Sequence, residues 1–433
     1  MTEAQSAVER AARESYGRLL AYLAVQWRDV AAAEDALADA FVAALAAWPR
    51  TGVPAKPDAW LLTAARRRLI DGARRARVQA QALPELAGRL QREADAGELA
   101  AELPDERLRL LFVCAHPAVD PAMRTPLMLQ TVLGLDAARI ASAFVVKPAT
   151  MAQRLTRTKA KLREAGVRFE LPEREQLPQR LDVVLEAVYA AYGSGWDEAS
   201  GADSRRKELA GEALYLGRLL QRFMPGEPEA LGLLALMLHC EARRPARRTD
   251  SGAYVPLSEQ PIGLWSAALI GEAELCLARA APAGRTGRFQ LLAAIQSVHN
   301  DRARTGCTDW EAIALLYEGL VRTAPTVAAL VGRAAAVGEA RGAAAGLALL
   351  EAVSAAAADG YQPYWALAAH LLTRLARREA AAAAYSRAIG LCVDPAVRNF
   401  LLRQARQAER AEQLGQPEQP GQSGQAERMK DEP

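Results

Sequence analysis

Residues 135–163 read LDAARIASAFVVKPATMAQRLTRTKAKLR, two short amphipathic segments joined by a tight turn. Asp136 is placed to cap the first segment, and Ile140, Ala141 and Phe144 give it a small apolar face. Lys147 precedes Pro148, which biases the lysine away from helical geometry, while Pro148 suits the first turn of a new helix. In that helix Met151, Leu155 and Leu162 recur at helical spacing and can pack inward, leaving Arg154, Arg157 and Lys161 on a separate cationic face. The pattern predicts a helix-turn-helix whose second helix enters a DNA major groove. Taken alone, an ordinary helix pair with a solvated basic face fits equally well, so the surrounding chain must decide.

The chain has 433 residues, of which 51% are hydrophobic, enough for several domains with real cores. Aromatics are only 6% and β-branched runs are scarce beside abundant alanine, so an all-α fold is expected. The net charge of +3 is small, but the positive excess lies before residue 170, in two short clusters. Five cysteines, Cys114, Cys240, Cys276, Cys307 and Cys392, form no CxxC pair, and their odd count argues against a closed disulfide set. No signal peptide and no charge-free apolar twenty-mer is present, which points to a soluble, cytoplasmic protein without a membrane partner.

Two further segments precede the basic helix pair. In AEDALADAFVAALAAW the acids Glu34, Asp35 and Asp39 stand early in a helix whose Leu37, Phe41, Leu45 and Trp48 recur at helical intervals. The macrodipole alone favours acids there. After TGVPAKP comes DAWLLTAARRRLIDGARRAR, where Asp58 can cap a helix carrying Arg66, Arg67, Arg68, Arg74, Arg75 and Arg77 against one acid, Asp71. Such density suits a polyanionic partner or a solvated face. Trp60 serves either the core or the stacking of an unpaired base. The Cys114 and His116 pair has no second ligand pair at metal-binding spacing, so no metal or cofactor is expected.

In this order, WLLTAARRRLIDGARR after the acidic helix and LDAARIASAFVVKPATMAQRLTRTKAKLR after a polar linker, the chain resembles an extracytoplasmic-function type RNA polymerase sigma factor. The resemblance implies that Glu34, Asp35, Asp39 and Phe41 grip the clamp helices of core RNA polymerase, and that Trp60, Arg66, Arg67, Arg74 and Arg75 engage the minus-ten promoter element. Many members carry Asn where this chain has Arg67. The upstream, minus-35 element falls to Lys147, Thr150, Gln153, Arg154, Arg157, Thr158 and Lys161, with Arg154 and Arg157 able to make bidentate contacts to guanine or hold phosphates.

Most factors of this kind would end near Phe169, yet a longer stretch follows. In YWALAAHLLTRLARREAAAAAYSRAIGL the positions Trp365, Ala369, Leu372, Ala381, Tyr385 and Ala388 alternate large and small as tetratricopeptide helices do. With PEALGLLALMLHCEARR and TDWEAIALLYEGL, this half is similar to the C-terminal extension of one sigma-factor subgroup. His239, His299, Asn300, Asp309 and Trp310 are candidates for a ligand or peptide groove or, more simply, for packing and capping. The expected layout is a sigma region 2 domain at 1–78, a linker at 79–103, a region 4 helix-turn-helix at 104–170, a helical repeat domain at 171–410 and a disordered tail at 411–433.

The function expected is promoter-directed initiation by a non-enzymatic polymerase subunit that reads the minus-35 and minus-10 elements of promoter DNA. A protein partner or ligand of the repeat domain would regulate it. A one-component helix-turn-helix regulator is the alternative. No phosphate loop, metal spacing or nucleophile motif supports an enzyme.

Overall fold

The computed structural model describes residues 3–77, 105–144, 146–173, 175–196, 204–354 and 358–415. The expected linker, and all of the expected tail beyond Gly415, lie outside the described residues. Among the described residues the regular structure is helical, with one isolated bridge between Arg248 and Tyr254. The chain divides into two compact units, parting between Met237 and Leu238.

The first unit opens with α1 (Glu3–Glu14), α2 (Tyr16–Trp27), α3 (Val30–Thr51) and α4 (Pro57–Arg77). Asp29 caps α3 by accepting from the Ala32 amide, and Val30, Ala33, Leu37, Ala40, Ala44 and Trp48 form its buried stripe. Gly52, at φ +82°, ends the helix while its amide donates to the Trp48 carbonyl. Leu19, Leu20 and Leu23 of α2 and Leu61, Leu62 and Ala65 of α4 are fully buried. A side chain of that size buried from water contributes about 1.5–3 kcal/mol, so this small bundle has an ample core.

Four shorter helices follow: α5 (Arg107–Cys114), α6 (Pro121–Thr131), α7 (Ala137–Ala143) and α8 (Pro148–Glu164). Asp120 caps α6 through the Ala122 amide, and Asp136 caps α7 through Arg139. Lys147 is extended, Pro148 opens α8, and Met151, Leu155 and Leu162 are buried. Two helices, α7 and all but the last residue of α8, thus fall within the stretch 135–163.

The helices α9 (Leu177–Trp196) and α10 (Ser204–Phe223) also belong to the first unit, as does the start of α11 (Pro228–Ala242). Arg180 donates to the Phe112 carbonyl at 2.6 Å, Thr125 to the Ala187 carbonyl, and Arg107 to the Tyr215 hydroxyl. The compact unit therefore runs well past residue 170, where the sequence suggests a boundary, because α9 covers the apolar backs of α5 and α6.

The second unit continues with α12 (Ala267–Ala280), α13 (Arg288–Asn300), the single turn α14 (Arg302–Thr305), α15 (Trp310–Thr323), α16 (Val327–Arg341), α17 (Ala343–Glu351), α18 (Gln362–Arg374), α19 (Arg378–Leu391) and α20 (Pro395–Gly415). Successive helices pack in pairs, α15 on α16, α16 on α17 and α18 on α19. Small residues permit this approach: a Cβ added at Gly346 would stand 2.6 Å from the Gly338 Cα. Ala369, Leu372, Ala381, Tyr385 and Ala388 fill the core of the last pair, with half-buried Trp365 packed against them.

Candidate nucleic-acid interface

Helix α8 presents Gln153, Arg154, Arg157 and Lys161 to solvent, with exposed Lys147 just before its first turn and Thr150 half-buried. Thr158 is different. It is buried and its hydroxyl donates to the Arg154 carbonyl at 2.8 Å, so it supports the helix rather than its outer face. Lys159 and Arg163 turn the other way, towards α3: Lys159 pairs with Glu34 and donates to Gln130, and Arg163 lies 3.6 Å from Asp29.

On α4, Trp60 is half-buried, edge-on to Trp48 with ring centroids 5.6 Å apart. Both roles open from the sequence meet here, since its other side lines an open groove of about 560 Å³ with Pro54, Lys56, Thr63 and Arg67. The groove combines a ring with two cations, which suits an unpaired base and its phosphate. Arg67 is exposed, whereas Arg66 corrects the sequence expectation. Only 3% exposed, Arg66 donates to the Tyr22 hydroxyl and the Gln26 side chain and lies over the Tyr22 ring, so it is a core residue of the bundle. Arg74 and Arg75 fall within α4, but their side chains lie outside the described residues.

On α3, Asp35 and Asp39 are exposed, and Arg68 reaches Asp39 at 3.8 Å. Phe41, expected as an apolar anchor, instead stacks on Tyr16. The outward apolar residues are Val42 and Leu45, 66% and 46% exposed, which continue the Asp35 and Asp39 face. Sequence reasoning missed Val42 and assigned Leu45 to the inner face. Extending the helical spacing from Asp35 and Asp39 would have found Val42, with Leu45 one turn beyond it at the edge of that face. Burial, and then the nearby Glu34 and Asp35 carboxylates, hold the Tyr16 phenol protonated.

The remaining candidates serve structure. Cys114 is buried against the Thr131 hydroxyl, burial pushing its thiol up to about 12, and the His116 Nδ1 accepts from the Ala118 amide. Among the described residues no three metal-ligating side chains converge. In the second unit Asp309 caps α15, His299 packs edge-on to Trp310, and Asn300 pairs with the Nδ1 of His239 at 2.9 Å.

Burial, reinforced by Arg243, holds His239 down to about 3 and His299 to about 4. Glu274, 3.5 Å from His239 Nε2, is half exposed and accepts from the Ser297 hydroxyl, too weak a partner to retain the charge. Both imidazoles are neutral in the fold but titrate near 6.5 when unfolded, so their stability contribution is full above that pH and declines as pH falls towards the folded values. At pH 5 the His239 loss is about 2 kcal/mol. Urea unfolding followed at pH 7.5 and pH 5 should show a loss larger than that share, since His299 adds its own, and His239→Gln should remove the His239 part while leaving the rest.

The first unit is thus helical, with an exposed acidic, part-apolar face on α3, an aromatic groove beside α4 and a cationic face on α8. Residues 12–78 match the Sigma-70 region 2 family. Residues 180–281 match a family of unknown function (DUF6596). Over 395 residues the chain is 37% identical to the uncharacterized protein R00370 of Rhizobium meliloti (strain 1021), covering 90% of this chain and 92% of that one. The chain belongs to one family with that protein, and the Sigma-70 region 2 match at its N-terminal end supports a sigma-factor-like role in transcription initiation. No solved structure matches it. Among the described residues, no helix is long and apolar enough to cross a membrane.

Proposed function

We propose that the protein is a sigma factor of the extracytoplasmic-function type, acting in the cytoplasm. It docks on core RNA polymerase through α3, opens the minus-ten element at α4 and reads the upstream element with α8. The observation that carries this reading is the exposed α3 stripe of Asp35, Asp39, Val42 and Leu45 beside the Trp60 and Arg67 groove. Acids flanking an apolar centre suit a basic coiled coil, since charge steers the encounter and apolar burial holds it. A helix-turn-helix regulator acting alone has no use for that stripe.

On α8, Gln153 and Arg154 stand near the N-terminal end, where a recognition helix meets base edges, and Arg157 and Lys161 suit phosphates. The C-terminal helix pairs are of the tetratricopeptide kind, and their partner or ligand governs the sigma domains. The large and small alternation from Trp365 to Ala388 supports this.

Purified core polymerase given the full chain should produce transcripts from a cognate promoter. The double variant Asp35→Lys/Asp39→Lys should weaken core binding at least about tenfold, as reversed charges meet the same basic surface. Unchanged core binding by that variant would remove α3 from the reading.

A further inference from the structure

The face of α3 assigned to polymerase is not wholly free. Lys159, at the heart of the helix-turn-helix, is only 8% exposed and pairs with the Glu34 carboxylate, its Nζ also donating to Gln130 Oε1 at 3.2 Å. One turn further, Arg163 reaches Asp29, the residue that caps α3. Two glycines bring the same modules together. A Cβ at Gly17 of α2 would stand 1.8 Å from the Val132 carbonyl oxygen at the end of α6, and one at Gly134 would stand 2.6 Å from the Tyr16 ring. Helix α2 therefore rests its backbone on the turn between α6 and α7, while α3 is tied to α8 by charge.

We propose that this contact is an autoinhibitory latch: it holds the two promoter-reading modules together with Glu34 covered, and core polymerase competes with Lys159 for α3. The inference rests on the polymerase-binding reading of α3. Asp35, Asp39, Val42 and Leu45 stay exposed in the closed form and allow a first encounter, but the full α3 surface is presented only after Lys159 leaves Glu34.

The chemistry of the contact suits a switch. A buried ion pair adds little net stability, because desolvation offsets most of its attraction, yet removing one partner leaves an uncompensated buried charge that favours separation. The glycine contact is steric and has no counterpart once the modules part. Closure and docking are thus alternatives, and apparent affinity falls in proportion to the open fraction.

Core polymerase binding by the full chain, measured without DNA so that lost phosphate contacts cannot contribute, tests the latch. Gly17→Ala drives a methyl group into the Val132 carbonyl only in the closed form, and Lys159→Met strands Glu34. If nine-tenths of free molecules are closed, each should bind core up to about tenfold more tightly than the wild type. Arg163→Glu, at a position whose side chain is 58% exposed and tolerates change, should tighten binding by a smaller factor and serves if either core variant melts early by circular dichroism.

The outcomes separate the two ideas. Wild-type binding that falls in Asp35→Lys/Asp39→Lys but is unchanged in Gly17→Ala, Lys159→Met and Arg163→Glu overturns the latch and leaves the polymerase reading standing. Failure of every protein to bind core overturns both. Wild-type silence relieved by Gly17→Ala supports the latch in its strongest form.

Discussion

A chain ending after Phe169 should lose the fold of the α5–α8 module, although the resemblance read from the sequence places an end there. Leu181, Val184, Leu185 and Val188 of α9 are each no more than 3% exposed, and α9 packs against α5 and α6. Removing α9 and α10 uncovers that apolar surface, at about 1.5–3 kcal/mol for each large side chain, against a total domain stability of about 5–15 kcal/mol. It also strips Arg107 of Tyr215 and leaves the Phe112 carbonyl without Arg180. A chain ending after Ala242 keeps α9, α10 and α11 and should retain the module. Circular dichroism melts and binding of α8 to upstream-element DNA would distinguish the two chains. Equal melting would mean that α9 merely leans on the module. Loss of transcription in the shorter chain would then be a folding effect, and would not by itself show control by the C-terminal helices.

Neighbouring arginines on α4 should behave oppositely. Arg66→Ala removes a buried side chain that donates to Tyr22 and Gln26 and stacks on the Tyr22 ring, so a loss of about 2–4 kcal/mol in stability is expected. Arg67→Ala changes an exposed side chain at the groove beside Trp60 and should leave stability within about 0.5 kcal/mol while impairing promoter opening. Urea denaturation measures the first effect, and permanganate reactivity of unpaired thymines the second. Should Arg66→Ala prove as stable as wild type yet fail to open promoters, Arg66 would belong with the DNA-contacting residues after all.

Much of this architecture was legible in the sequence because its signals are local. Asp136 announces a helix start by residue type, and Pro148 opens a helix because a first-turn amide needs no partner. Asp58, expected to cap α4, instead lies within its first turn and holds Ser15 and Arg18. The buried stripes of α3 and α8 follow from apolar spacing alone. The site was legible only in part. Arg66 and Arg67 are adjacent and chemically identical, and only the position of Tyr22, forty-four residues away, makes one a core residue and leaves the other exposed. Phe41 looks like an anchor until Tyr16 is seen against it, and Val42 gains meaning from lying beside Asp35 and Asp39.

By itself the sequence determined the all-helical fold and the order of an acidic helix, an arginine-rich helix and a later basic helix. Those features depend on side chains within a few turns of one another. Only the tertiary structure decided that α9 and α10 complete the first unit, that Thr158 and Arg66 face inward, and that Lys159 of the basic helix meets Glu34 of the acidic one. The reason is that burial and ion pairing between residues far apart in the chain, forty-four positions for Arg66 and Tyr22 and 125 for Lys159 and Glu34, are set by which helices pack together, and local periodicity carries no record of that choice.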